Sequence, residues 1–163
     1  LLEPLLEKAS YVINTSELNS SELKNKISEL FSTDTERERM GIVVCSFGFK
    51  YSLPLDSNLV LDVRFLPDPF YVEELRHQTG NDQPVVDYIC RYPQTFEYLK
   101  LEAKRFDFLI PQYIKEGKSQ LVISVGCTGG QHRSVFVANK LAEYLGTQGY
   151  KVEVSHRELS EKK

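Results

Sequence analysis

The sequence predicts an α/β fold: a mainly parallel sheet with flanking helices and a phosphate-binding loop at a strand-to-helix junction. Three observations carry this expectation. The apolar runs Gly41–Phe47, Leu59–Phe65 and Ser119–Val125 are rich in β-formers and lack clean alternation, as expected of strands covered on both faces, and Val152–Ser155 reads as a last strand. Helical periodicity fills the intervals after the second and third runs. The segment Gly126–Ser134, GCTGGQHRS, falls where a buried strand runs into a helix. Strands joined by helices of this length imply right-handed crossovers, with ligands bound at the carboxyl ends of the strands.

Taken from the start, Leu1-Leu2-Glu3-Pro4 has no basic region leading into an apolar stretch, and the first residue is not methionine. Tyr11-Val12-Ile13 reads as a short buried strand. Asn19-Ser20-Ser21-Glu22 carries an N-cap with an acid three residues on, and Leu23, Ile27, Leu30 and Phe31 follow on one helical face. Nothing nearby completes a sheet around this strand, so residues 1–31 are expected to be the end of a larger upstream domain. Residues 32–40 then read as a linker, because Ser32–Arg39, STDTERER, contains no apolar residue. Residues 41–163 form the domain that carries the loop.

Within that domain, Pro84 marks a helix start, and Phe96, Leu99, Ala103, Phe106, Ile110 and Tyr113 are spaced for one face. Pro93 and Pro111 are expected to break or restart this helical region. A further helix over His132–Leu145 presents Val135, Ala138, Leu141, Ala142 and Leu145, and Gly146 and Gly149 act as its stop signals.

Composition places few limits on function. With 163 residues, 41% hydrophobic and 26% charged, the chain suits one main globular domain. No run approaches the roughly 18 residues a membrane span requires. Cys45, Cys90 and Cys127 form no close pair, which argues against a disulfide framework or a four-cysteine metal site and favours a reducing cytoplasm. The net charge of -3 offers no global attraction for nucleic acid.

The chemistry concentrates in the loop. The first turn of a helix leaves backbone N–H groups without partners, and an anion satisfies them. Gly129 and Gly130 let the backbone close around oxygen atoms. Arg133 offers a planar fork for two phosphate oxygens, Thr128 and Ser134 offer hydroxyls, and His132 adds a charge-assisted bond when protonated. The bland alternative is a tight turn with Arg133 on the surface. A sharper rival lies in the spacing C-x-x-G-x-x-R-S, which resembles the signature loop of cysteine-dependent phosphatases. There the Cys127 thiolate would attack phosphorus, Arg133 would hold the equatorial oxygens, and Asp68 would be the general acid. Against that reading, Gly126 stands where those enzymes usually carry a histidine.

Other positions carry less weight. Asp62 and Arg64 share a face at a strand end, where Asp62 can accept from sugar hydroxyl or amine groups and Arg64 can meet an anion; a structural ion pair is the equal alternative. Lys50 can reach a phosphate, although a solvated lysine is the commoner outcome. His77 reads as a surface residue and Cys90 as core. Ser155-His156-Arg157 with Lys162-Lys163 forms a small basic end, diluted by Glu158 and Glu161.

Ser46-Phe47-Gly48-Phe49-Lys50-Tyr51, Asp62-Val63-Arg64-Phe65-Leu66-Pro67, Leu75-Arg76 with Thr79-Gly80, and Gly126–Val135 together resemble the C-terminal domain of the RapZ/YvcJ family over about residues 41 to 159. Residues 1–31 resemble the end of that family's N-terminal P-loop domain. No G-x-x-x-x-G-K-[ST] occurs, so ATP or GTP binding and hydrolysis are expected in a part of the protein outside this chain, and this fragment itself is not expected to be an enzyme. The resemblance implies a cytoplasmic, homo-oligomeric bacterial regulator of amino-sugar and envelope-precursor supply. Its expected ligand is a phosphorylated amino sugar such as glucosamine-6-phosphate, and its expected partners are a regulatory protein and small RNA. The pocket carried over comprises Asp62, Arg64, Cys127, Thr128, Gly129, His132 and Arg133. Two departures stand out: Phe70 replaces a pocket histidine of enteric relatives, and the tail is less basic than theirs. Many relatives carry asparagine at the Asp68 position, which weakens the phosphatase alternative.

Overall fold

A computed structural model of the chain describes residues 6, 8–31 and 35–160. It divides into two compact units, Leu1–Thr33 and Asp34–Lys163.

In the first unit, helix α1 (Ser20–Phe31) begins at a reciprocal cap. The Asn19 Oδ1 accepts from the Glu22 N–H at 2.9 Å, and Glu22 Oε2 accepts from the Asn19 N–H at 2.8 Å. The expected strand at Tyr11-Val12-Ile13 does not form. Tyr11 and Val12 are exposed, and the Tyr11 ring meets the edge of Phe31 at 5.3 Å. A three-residue strand needs a neighbour for its backbone groups, and no other strand lies among the described residues of this unit.

The second unit begins inside the polar segment expected to be linker. Thr35 caps a single helical turn, α2 (Glu36–Arg39), with a capping box to Glu38. Arg37 then donates to the carbonyl of Gln148 at 2.6 Å and lies over the Tyr150 ring. Charged composition concealed this turn because its anchoring is long-range. Residues 32–34 lie outside the described residues.

Four parallel strands follow: β1 (Gly41–Gly48), β2 (Leu59–Asp62), β3 (Gln120–Cys127) and β4 (Lys151–His156), in the order β2-β3-β1-β4. The sheet is thus α/β and parallel, as the sequence predicts. Its strands are less evenly covered than expected: Ile42, Val44 and Ser46 of β1 are buried while Val43 and Cys45 are half-buried, so one face carries the main core. β2 is also shorter than the apolar run that signals it. Its start is held by Asn58, whose N–H donates to the Val122 carbonyl and whose Oδ1 accepts from the Val122 N–H. Its end is set by Asp62, which accepts from the Arg64 N–H at 3.0 Å and turns the chain away from the sheet.

Between β2 and β3 the chain makes two short 3-10 turns (Pro69–Tyr71 and Glu73–Leu75) and two helices, α3 (Gln83–Cys90) and α4 (Pro93–Glu116). Pro93 sits in the first turn of α4, where its missing N–H costs nothing. Pro111 does not break the helix as expected; α4 runs through it for 24 residues, with buried Phe106 and Ile110 fastening it to the core. Tertiary packing outweighs the local penalty. Pro111→Ala is accordingly expected to raise stability by about 1–3 kcal/mol, read as a shift in thermal midpoint, because it restores a hydrogen bond to the Asp107 carbonyl. The inward face of α4 is the expected one at Leu99, Ala103, Phe106, Ile110 and Tyr113 but not at its start, where Phe96 is exposed and Thr95 is buried; Glu102 joins the buried side. Thr95 is drawn in because its Oγ1 donates to the Ile89 carbonyl of α3 at 2.8 Å.

Helix α5 (Arg133–Thr147) leaves β3 and packs against β1, β3 and β4. Its core residues Phe136, Val137, Leu141 and Leu145 join Val44, Leu121, Ile123 and Val125 of the sheet in one cluster. A last turn, α6 (Arg157–Ser160), packs against β1.

This order defines where a ligand belongs. From β1 the chain crosses to β2 on one side, while from β3 it crosses to β4 on the other. A crevice therefore opens between the carboxyl ends of β1 and β3, at the point where Gly48 pairs with Cys127.

Candidate functional site

The loop between β3 and α5 occupies this crevice. It closes against the end of β1 through backbone bonds: Phe49 N–H donates to the Cys127 carbonyl at 2.9 Å and Lys50 N–H to the Thr128 carbonyl at 3.1 Å. Two glycines outside the loop make that approach possible. A Cβ on Gly48 would stand 2.8 Å from the backbone of Gly129, and one on Gly80 would stand 2.3 Å from the His132 carbonyl oxygen. The Gly80 N–H also donates to the Gln131 carbonyl at 2.8 Å, pinning the loop from its other flank.

The two loop glycines differ in role. Gly130 has φ of 71° and lies against Gly48, Phe47 and the carboxylate of Glu158. Gly129 has open space where its Cβ would be and lines a cavity of about 350 Å³. That cavity brings together Lys50, Asp68, Cys127, Thr128, Gly129, His132 and Arg133 from the sequence-derived candidates, walled by Tyr51, Phe70, Tyr71 and Gln131. The aromatic wall was not legible from local pattern, because Tyr51 and Tyr71 lie far apart in sequence and meet through the β1 end and the first 3-10 turn.

Cys127 and Ser134 are buried beneath the loop. The Cys127 Sγ lies 3.1 Å from the Ser134 Oγ and accepts from the Gly130 N–H at 3.2 Å. Arg133 is equally buried, which rules out the surface arginine of the bland alternative. Its Nη1 donates to the carbonyls of Arg64 (2.6 Å) and Leu66 (3.1 Å). Its Nη2 donates to Asp68 Oδ2 (2.6 Å) and Thr128 Oγ1 (3.3 Å). The guanidinium thus ties the β2 exit and the 64–68 turn to the loop. The Nε has no acceptor among the described residues.

Asp62 and Arg64 do not line the cavity. They form the ion pair weighed as the structural alternative, at 2.6 Å, and Arg64 lies 4.2 Å over the Phe49 ring. The hydrogen bonds from Arg64 hold the Asp62 carboxyl below its ordinary range. What Arg64 contributes to the site is its carbonyl, received by Arg133. The half-buried Cys90 faces an apolar groove with Phe96, Leu99 and Leu141, and His77 is exposed.

The expected basic end is largely internal. His156 bridges Ser46 Oγ (2.8 Å) and Asn139 Oδ1 (3.0 Å), and Arg157 is occupied by Glu158 and the carbonyls of Gly48 and Ser52. Burial makes these partners preferable to solvent. Lys162 and Lys163 lie outside the described residues.

His132 caps α5 by position and is buried, with Nε2 lacking a partner among the described residues. Burial lowers its pKa below 6.5, outweighing the raising effects of Asp68 and of the backbone at Gln78, Leu75 and Arg76. Burial lowers that of His156 as well. Both folded-state values are depressed, so the unfolded chain binds more protons between them and 6.5. The stability these residues contribute is complete above 6.5 and lost as pH falls toward the folded values. Thermal melting from about pH 8 to 5 is expected to show a falling midpoint below about pH 6.5, with a shallower fall in His156→Gln.

Among the described residues no helix is long and apolar enough to cross a membrane, and no cluster of ligating side chains could hold a metal ion. Residues 40–160 match the family model described as the RapZ C-terminal domain. A nucleotide-binding protein of Caldicellulosiruptor saccharolyticus is 52% identical over 161 residues, covering 97% of this chain and 54% of that protein. Nucleotide-binding proteins of Caldanaerobacter subterraneus and Clostridium botulinum are 48% and 47% identical, with 98% of this chain covered in each and 56% and 55% of the relative. The chain spans about half the length of these curated relatives. The motif resemblance and the family match coincide on the segments that build the crevice, and the chain belongs to the RapZ C-terminal domain family.

Proposed function

We propose that this domain senses a phosphorylated amino sugar of the glucosamine-6-phosphate type. In this reading it signals to protein or RNA partners that control amino-sugar and envelope-precursor supply. The observation that carries it is the cavity at the β1/β3 crevice, where a helix-start loop, Lys50, Thr128 and Arg133 converge beside an aromatic wall. Loop N–H groups and the cations suit a phosphate, and Tyr51, Phe70 and Tyr71 suit the apolar face of a sugar ring. The curated relatives bear the description nucleotide-binding protein. ATP or GTP binding and hydrolysis are proposed for the part of the protein outside this chain, together with homo-oligomeric assembly in the cytoplasm.

The phosphatase reading draws on one observation, the contact of the Cys127 Sγ with Ser134 Oγ and Gly130 N–H. Against it, Asp68 is engaged by Arg133 rather than presented as a free acid. Calorimetric titration with glucosamine-6-phosphate, glucosamine and inorganic phosphate separates the readings. Saturable phosphosugar binding is expected, weakened about tenfold or more in Arg133→Ala, with no phosphate released. Sustained release that vanishes in Cys127→Ser would mean an enzyme.

A further inference from the structure

The crossovers from β2 to β3 and from β3 to β4 step in the same direction along the sheet, so right-handed connections lay α4 and α5 side by side and parallel on one face. The two helices do not close on each other. A groove of about 470 Å³ runs between them, floored by Leu99 and Ala103 of α4, Phe136 and Leu141 of α5, and Cys90 at the end of α3. Two bonds hold its walls in place. The Tyr144 hydroxyl donates to both Asp107 carboxylate oxygens at 2.7 Å, tying α5 to α4, and Thr95 Oγ1 donates to the Ile89 carbonyl at 2.8 Å, tying α4 to α3. The groove is therefore preformed, and Phe96, 56% exposed, stands on its rim with an uncovered ring.

Charge marks the mouth. Lys100 rises from the α4 wall and Lys140 from the α5 wall. The Asp107–Tyr144 bond brings residues 37 apart roughly level, which puts Lys100 beside Val137 and within one helical turn of Lys140. Lys100 makes no ion pair among the described residues, and the 3.2 Å contact of Lys140 with Glu143 joins two exposed side chains, where water and salt weaken it. In a chain of net charge -3, two cations against one carboxylate over an apolar floor form a local positive site.

We propose that this groove is a second ligand site, for a small molecule with an apolar body and one anionic group. A largely apolar cleft between helices, with a few orienting polar groups, is the common form of a small-molecule site, and its volume lies within the range of about 300–1,000 Å³ such sites occupy. The apolar body rests on Leu99, Phe136 and Leu141 and covers the Phe96 ring. The anion stands between Lys100 and Lys140, displacing Glu143 from the latter. A cationic head meets repulsion at the same place, so the discrimination is by charge sign. The groove shares no lining residue with the β1/β3 crevice, so the inference is independent of the sensing reading.

The test titrates the full 163-residue chain with the fluorescent aromatic anion anilinonaphthalene sulfonate, using octanoate, decanoate and decyltrimethylammonium as competitors. Decanoate is expected to displace the probe more strongly than octanoate, by up to about fourfold for each added CH₂ that is buried, and the cation is expected not to displace it. Ala103→Trp fills the floor and should abolish binding, with its melting midpoint as the check on folding. The exposed Lys100→Glu keeps the test open should that variant fail to fold, and it should weaken decanoate about fivefold or more. Decanoate should also slow alkylation of Cys90 by iodoacetamide and leave that of Cys45 unchanged, as read by peptide mapping. Equal displacement by the cation, unchanged decanoate affinity in Lys100→Glu, or probe binding that survives in a folded Ala103→Trp overturns the inference. Shielding of Cys90 that grows with protein concentration in the absence of probe also overturns it, giving the groove to a second copy. No binding of either carboxylate or of the probe by the wild type overturns it and leaves the groove to a protein partner.

Discussion

Gly130→Ala is expected to destabilise the domain by about 2–4 kcal/mol, lowering the thermal midpoint by about 4–16 °C, while Gly129→Ala changes it little. Two penalties add at Gly130. Its φ of 71° disfavours any side chain, and the new Cβ would stand 2.6 Å from both the Gly48 nitrogen and the Glu158 Oε2 and 2.9 Å from the Phe47 carbonyl carbon. Glu158 can give way, but the backbone of β1 cannot without disturbing the Gly48–Cys127 pairing. At Gly129 the same methyl meets nothing within 4 Å, so its effect falls on ligand approach. Melting curves of the two variants, followed by titration of each with glucosamine-6-phosphate, make the comparison. Equal destabilisation at both positions would contradict this division between a structural and a ligand-facing glycine.

Arg133→Ala is the second large effect, and it reaches stability and binding together. The substitution removes the donor for the Arg64 and Leu66 carbonyls and the partner of Asp68, inside a site where the guanidinium is almost fully buried. Breaking one member of a buried pair commonly costs 3–5 kcal/mol; because Asp68 is partly open to the cavity and can hydrate, about 2–4 kcal/mol is expected here. Urea unfolding should show an earlier midpoint with an unchanged slope, the sign of lost stability without a change in the surface exposed. Arg133→Lys keeps the charge but not the planar fork, so it is expected to recover only part of the stability. A variant as stable as the wild type would mean that the three anchored segments are held without the guanidinium.

The α/β class, the strand positions and the glycine-rich loop between a strand and a helix were legible because each rests on local pattern: apolar runs, helical spacing, and glycines between a strand and a helix. Several elements were not. The Tyr11–Ile13 run had strand composition but no partner, and α4 continued through Pro111 because Phe106 and Ile110 before it are buried and Tyr113 and Ile114 after it pack against the core. At the start of α4, Thr95 rather than Phe96 turned inward because α3 offered the Ile89 carbonyl. None of these deciding contacts is visible at the position it decides.

The same division runs through the site. By itself the sequence determined which segment concentrates donor groups, since Cys127, Thr128, Gly129, Gly130, His132, Arg133 and Ser134 fall within eight consecutive residues and their donor types are apparent from residue identity. Only the tertiary structure decided their roles. It buried Ser134 beneath Cys127, turned Arg133 toward Asp68 and two carbonyls, closed Asp62 on Arg64, and brought Tyr51 and Tyr71 to one wall. The physical reason is that donor chemistry belongs to a residue, whereas the availability of a donor depends on which acceptors distant segments place within hydrogen-bond reach.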